Sequence, residues 1–287
     1  MENVLRTLIY GDEVSLTMID ATALAKDGQK IHALSKAGAD LFSRALAFVA
    51  FMASALKNPN GEVSLSIKGD GEVKNISVSG NALLNIRGAI DNPTPNENPN
   101  SAVYTGAASV CFDKEGYFTV IRSDGYARPF VGACGAAEGD LDASFENYFT
   151  VSEQLPTTVY TGMDFDENGQ VAFCGIIAMQ PLPFVSDGAK KKAEDKEQFK
   201  RAMEKMKDEG LVRSAISCFE AEEEKISFKR ANYRCNCSRE YLSGVIVSLG
   251  KKDLESIIKE EGAVRVHCHY CNKNYEFFQA DIDKLFP

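Results

Sequence analysis

Between Leu34 and Leu56 the apolar residues Leu41, Ala45, Phe48, Met52 and Leu56 return every three to four positions, the spacing that lines one side of an α-helix. The longest apolar run, Ala45–Leu56, sits inside this stretch between Arg44 and Lys57. It is far too short to cross a bilayer, so it predicts a buried helix and no membrane partner. Beyond the turn signal at Asn60-Gly61, of the kind found in hairpins, the period shortens to two. Val63, Leu65 and Ile67 share one face of a strand over Glu62–Lys68, and Gly69-Asp70-Gly71 turns the chain into Val73, Ile76 and Val78. Pro93 to Pro99 is a polar, proline-rich loop. Phe118–Arg122 and Val171–Met179 read as further strands, and Gln180-Pro181-Leu182-Pro183 ends the pattern, because neither proline suits a continuing ladder.

The periodicity then becomes helical again. Phe199, Met203 and Met206 form one apolar stripe, Gly210 interrupts it, and Leu211, Val212, Ala215, Ile216 and Phe219 form a second. Such stripes need a surface to bury against, and the preceding α/β segment is the expected one. Farther on, Ser238 suits an N-cap ahead of Tyr241, Leu242, Val245, Ile246 and Leu249. Leu254, Ile257 and Ile258 suggest another helix, closed by Gly262. Val264 and Val266 lead into a tight turn, and Tyr275, Phe277 and Phe278 lead out of it.

Charge divides the 287 residues in three. Residues 1–184 carry a net −10, residues 185–231 a net +1 and residues 232–287 none, and 23 of the 47 residues in the middle segment are charged. A segment that polar buries little apolar surface of its own. The expected fold class is therefore α+β: a mixed α/β N-terminal core domain over 1–184, a helical charged linker over 185–231 and a small C-terminal domain over 232–287. The overall charge of −9 argues against a general nucleic-acid partner.

Chemistry enters with the cysteines. Cys235 and Cys237 stand in Arg-Cys-Asn-Cys-Ser, and Cys268 and Cys271 in His-Cys-His-Tyr-Cys, with thirty residues between the pairs. Four thiolates in two close pairs suit a tetrahedral Zn²⁺, each pair spanning one edge. The C-x-C half departs from the usual spacing of two to four residues. Side chains two apart on an extended segment point the same way, so Cys235 and Cys237 can share a metal or bond to each other once it leaves. One Zn²⁺ per chain in the reduced form is the expected cofactor, with the same four cysteines as metal ligands and redox groups. A purely structural zinc, or four buried small hydrophobes, are the alternatives. The opening Met-Glu-Asn-Val-Leu-Arg has no basic region followed by an apolar stretch and cleavage site, which predicts a cytoplasmic protein, where thiols stay reduced. A domain of this size has too small a core to trust without metal.

The remaining motifs carry no chemistry. Cys111, Cys134, Cys174 and Cys218 are scattered, the first three reading as core residues. His267 and His269 flank Cys268 and could replace a thiolate, but four cysteines already complete the shell. His32 reads as a surface or packing residue ahead of a helix. Gly244 to Lys251 fails as a P-loop: five residues separate its glycines and Lys252 stands where Ser or Thr belongs. No G-x-G-x-x-G occurs, so no nucleotide is expected. Ser152-Glu153-Gln154 lacks a histidine partner for a hydrolase triad, and no enzymatic activity is expected. A nucleic-acid-binding zinc ribbon and a thiol oxidoreductase using Cys268 and Cys271 are the competing readings. The neutral charge of 232–287 opposes the first, and the missing thioredoxin-like context opposes the second.

The C-x-C and C-x-x-C pairs at this end of the chain resemble the zinc switch of the heat-shock-protein-33 family, the redox-regulated holdase chaperones of bacteria. The similarity extends over Leu56-Lys57, Gly69-Asp70-Gly71, Ile86-Arg87-Gly88, Tyr148-Phe149, Ser152-Glu153-Gln154-Leu155-Pro156-Thr157 and Gln180-Pro181-Leu182-Pro183, covering essentially the whole chain in order. The resemblance implies an ATP-independent chaperone that is largely inactive while Cys235, Cys237, Cys268 and Cys271 hold zinc. It implies that oxidants form a disulfide within each pair and release the metal. The C-terminal domain then unfolds, the linker undocks, and an apolar surface for unfolded clients appears, commonly on a homodimer.

Overall fold

The computed structural model describes residues 2–95, 116–125, 128–136 and 140–286. The chain divides into two compact units, Met1–Tyr233 and Arg234–Pro287. The architecture is mixed α and β, as the two periodicities predict.

The first unit opens with a hairpin, β1 (Val4–Ile9) and β2 (Val14–Asp20), followed by helices α1 (Thr22–His32) and α2 (Lys36–Ser54). Strands β3 (Glu62–Gly69), β4 (Asn75–Asn81), β5 (Asn85–Ile90), β6 (Gly116–Ser123) and β7 (Phe130–Gly135) come next. Helix α3 (Leu141–Tyr148) precedes the long hairpin β8 (Thr158–Phe165) and β9 (Val171–Pro181). Two sheets result, with strand orders β1-β2-β9-β8 and β5-β4-β3-β6-β7, antiparallel throughout these strands. The Gly69-Asp70-Gly71 turn joins β3 to β4, with Lys68 opposite Asn75. Asn60-Gly61 makes no hairpin, because the segment before it ends a helix; Gly61 instead donates its N–H to Asn58 O at 2.9 Å. Pro181 closes β9 opposite Val14, so the first proline occupies the strand's last position rather than lying beyond it. The loop expected over Pro93–Pro99 lies partly outside the described residues.

Helix α2 packs against both sheets. It is capped by Ser35, whose hydroxyl accepts the Gly38 N–H, and its apolar residues are buried all round. By length and composition it could cross a membrane, with mean hydropathy 1.3, but 94% of that window is buried inside the fold. It is a core helix. Phe48 stacks on Phe145 at 3.8 Å between centroids, and Phe42 approaches β5 so closely that a Cβ at Gly88 would stand 2.7 Å from its ring. His32 ends α1 and stands just ahead of α2. It is buried, meets Phe42 edge to face at 5.2 Å and places Nε2 3.0 Å from the Tyr233 hydroxyl, so it is a packing residue.

Strand β9 is buried on both faces, which is why Val171–Met179 shows a continuous apolar run and no alternation. Cys174, Ile176 and Ala178 face the α2 core, while Phe173, Ile177 and Met179 face outward. That outer face is covered by the charged segment. Its helices are α4 (Asp187–Ala193), α5 (Lys196–Glu209) and α6 (Leu211–Phe219), with Gly210 at φ 88° between the last two. Phe199, Ala202, Met203, Met206, Ala215 and Phe219 are buried against the sheet, whereas Ile216 of the expected stripe is exposed. Lys196 bonds Glu146 and Val159 O, Lys207 pairs with Asp164, and Lys225 meets Asp12 at 3.0 Å. Exposed pairs of this kind contribute about 0–1 kcal/mol each. A buried Phe or Met side chain contributes about 1.5–3 kcal/mol, so apolar burial holds the segment down and the ion pairs set its register. The segment also does something its helical pattern conceals. Ser227–Lys229 forms β10 along β1, and Asn232–Tyr233 forms β11, parallel to β5. The segment therefore closes one edge of the first sheet, and Asn232–Tyr233, just past it, closes one edge of the second.

The second unit comprises α7 (Arg239–Val247), α8 (Lys251–Glu261), the hairpin β12 (Val264–His267) and β13 (Asn274–Phe277), and α9 (Gln279–Leu285). Ser238 caps α7 by accepting the Tyr241 N–H, and Gly262 ends α8 at φ 82°. Its core is small: Leu242, Ile246, Leu254, Val264, Phe277 and Ile282. Tyr241, Val245 and Leu249, which share the helical spacing of α7, are exposed.

Candidate metal centre

The two cysteine pairs reach one place by different routes. Cys235 and Cys237 lie on the irregular segment that runs into the capped start of α7. Cys268 and Cys271 sit on the tip of the β12–β13 hairpin, where Cys268 N donates to Lys273 O at 2.9 Å and Asn272 N to Cys268 O at 2.8 Å. Asn272 takes φ 54° to complete the turn, a conformation in which Asn is favoured among non-glycine residues.

All four Sγ atoms lie within 4.8 Å of one another. Two approaches run across the pairs: Cys237 to Cys271 at 3.2 Å and Cys235 to Cys268 at 3.7 Å. A tetrahedron with metal–sulfur arms of about 2.3 Å has edges of about 3.8 Å, so the sulfurs are spaced to hold one ion. Such a set of soft donors suits Zn²⁺. Among the described residues this is the one group of three or more Cys, His, Asp or Glu side chains placed to hold a metal. His267 and His269 stay out of it; His267 Nδ1 lies 2.7 Å from Asn274 Oδ1.

The thiols are not equivalent. Burial raises the pKa of Cys235 to about 11. Burial also opposes ionisation of Cys237, but hydrogen bonds from Tyr275 and the neighbouring thiols outweigh it and bring Cys237 down to about 7. The Tyr275 hydroxyl, 3.3 Å from Cys237 Sγ, is itself held protonated, up to about 12, chiefly by that bond. Tyr275 is the residue that sequence reasoning missed as part of the site. It stands 38 positions from Cys237, and only the hairpin register brings them together.

The scattered cysteines lie elsewhere. Cys174 is fully buried and Cys134 is buried, and burial raises both thiols above the ordinary range. Thiols kept protonated are poor nucleophiles. Cys218 is half-buried on α6, and Cys111 lies outside the described residues. We expect a protein with Cys111, Cys134, Cys174 and Cys218 all changed to Ala to bind the same amount of metal and release it on oxidation as before. A folded variant that no longer responds to peroxide would show that one of these thiols takes part.

An α/β unit whose outer sheet face carries a charged helical segment, in one chain with a four-cysteine metal centre, is a recognisable combination. The chain belongs to the Hsp33 protein family, whose model matches residues 2–278. A protein of Bacillus cereus strain B4264 named 33 kDa chaperonin is 29% identical over 98% of this chain and 97% of its own length. One of the same name from Bacillus mycoides strain KBAB4 is also 29% identical with the same coverage. The crystal structure of the 33 kDa chaperonin of Thermotoga maritima superposes with a TM-score of 0.80 over 99% of this chain and 97% of that one, at 23% identity. That likeness places the fold.

Proposed function

We propose that the protein is an ATP-independent holdase chaperone that oxidation switches on through this cysteine centre. It binds unfolding client proteins and is not an enzyme. The chaperonin names of its relatives support the chaperone part. The observation that carries the switch is the convergence of Cys235, Cys237, Cys268 and Cys271 within 4.8 Å in a unit with a small apolar core.

In the reduced state the four thiolates would hold one Zn²⁺, which ties the α7 approach to the hairpin tip and so supplies folding free energy. A two-electron oxidant converts one thiolate of a pair to a sulfenic acid, and the other displaces water from it to form the disulfide. The pairing proposed is Cys235–Cys237 and Cys268–Cys271, the one that the resemblance to the heat-shock-protein-33 family implies. The freed unit leaves residues 185–231 to undock and bare the apolar outer face of the first sheet. We further propose that the oxidised form dimerises and works in the cytoplasm, without nucleotide or nucleic acid.

Metal analysis combined with disulfide mapping tests this reading. Carefully reduced protein should carry one zinc per chain. Peroxide-treated protein should carry almost none, and peptides linking 235 to 237 and 268 to 271 should dominate. Full zinc retention by protein whose four thiols have all been oxidised would overturn the switch.

A further inference from the structure

The seat of α5 on the sheet is built from two glycines and two methionines. Gly162 on β8 and Gly175 on β9 are directly opposite each other in the ladder. Between them they leave a notch with no side chains, and the Met203 thioether fills it. Its Sδ lies 3.0 Å from where a Cβ of Gly162 would be and 2.8 Å from where one of Gly175 would be. The Met206 methyl packs against Gly175 beside it. Any larger residue on either strand would push the helix away, so α5 docks by fitting sulfur against bare backbone.

Met203 is buried on the sheet side, but it is not sealed. It lines a cleft of about 460 Å³ together with Tyr160, Gly162, Glu204 and Lys207. Glu204 and Lys207 are exposed, so the cleft reaches the surface. A space this size admits molecules much larger than a water. Met206 does not line it.

We propose that Met203 is a modification site: oxidation of its thioether to the sulfoxide expels α5 from the glycine notch. The sulfur lone pair takes one oxygen from hydrogen peroxide, the O–O bond breaks, and the second oxygen leaves as water with both protons. Hypochlorous acid does the same with loss of chloride and a proton. The product is bulkier and more polar than the thioether that fits against Gly162, Gly175 and Phe173. Such a change disrupts methionine-built packing. Zinc release acts on the second unit. Met203 would act on the linker's own contact with the sheet, giving the segment a second oxidant input that thiol reductants cannot reverse. The consequence for client binding rests on the holdase reading; the undocking of α5 does not.

The test uses full-length, zinc-loaded protein treated with hydrogen peroxide, then returned to dithiothreitol and Zn²⁺ so that every disulfide is reduced while sulfoxides remain. Peptide mass spectrometry should show one added oxygen on Met203 before Met18, Met179 and Met206; Met163, half-buried in the same cleft, should be oxidised as well, and the Met203 variants separate its effect. Hydrogen exchange over 196–209 should stay about tenfold faster than in untreated protein, and methionine sulfoxide reductases A and B should restore it. Met203→Leu should regain full protection with dithiothreitol and zinc alone, and Met203→Gln should exchange fast without any oxidant. The proposal fails if Met203 carries the oxygen while 196–209 recovers full protection on thiol reduction. It fails equally if Met203 resists doses that oxidise the fully buried Met18 and Met179. Neither result would touch the zinc switch, which is read separately from metal content.

Discussion

Stripping the metal from fully reduced protein should unfold residues 234–287 and leave the sheets and α2 of the first unit folded. The magnitudes decide this. A structural zinc contributes roughly 10–16 kcal/mol to the folding of a small metal domain. Cores of domains this small rarely supply more than about 3–5 kcal/mol on their own, and here Leu242, Ile246, Leu254, Val264, Phe277 and Ile282 are buried with only half-buried apolar residues around them. Phe48, Phe42, Phe118 and Phe145 with the rest of the α2 core need no metal. Hydrogen exchange after chelation under dithiothreitol should show protection lost across α7, α8 and the β12–β13 hairpin and kept in α2, β3, β4 and β9. A second unit that stays protected without metal would remove the physical basis of the switch.

Phe199→Ala should undock the linker without any oxidant. Phe199 is fully buried, meets Phe219 edge to face at 5.9 Å between centroids and joins α5 to α6 over the outer sheet face. Truncating a buried phenylalanine costs about 3–5 kcal/mol. At about 1.4 kcal/mol per tenfold, opening of α5 and α6 should become on the order of a hundredfold or more easier. The exposed Lys192–Glu220 pair at 2.7 Å contributes too little to compensate. Exchange over 196–219 should rise by that factor, while the metal stays bound. On the holdase reading, the reduced, zinc-loaded variant should also suppress client aggregation where the parent does not. A variant with fast exchange in this segment and no gain in client binding would mean that undocking alone does not expose the client surface.

Sequence and structure agree where a pattern is local. Helix α2, strands β3, β4, β6 and β9, the two linker stripes and the Ser238 cap are all legible as periodicity or as a single residue with a known preference. The β1–β2 hairpin is not. Val4 faces the α2 core and Leu5 the linker helices, and Ile19 and Met18 divide in the same way. With both faces buried, the alternation that marks a strand is absent. Strands β10 and β11 are hidden for a different reason. They are short, and what makes them strands is the free edge of β1 and of β5, which no local signal reveals. The four cysteines placed to hold a metal were legible because thiol pairs keep their spacing in sequence. Tyr275 was not, because its place beside Cys237 depends on the fold. The glycine notch under Met203 was equally hidden: nothing local in the sequence sets Gly162 opposite Gly175, which only the ladder does.

The switch as a whole is best tested in one cuvette. Reduced, zinc-loaded protein is mixed with a client that aggregates on dilution from denaturant, a zinc-sensitive dye is added, and fluorescence and light scattering are followed together as peroxide dose and pre-incubation time are varied. Suppression of scattering should be absent in the reduced protein, should grow with the zinc released, and should be retained without nucleotide. Equal suppression before and after zinc release, or complete release with scattering unchanged, would contradict an oxidation-activated holdase built on these four cysteines.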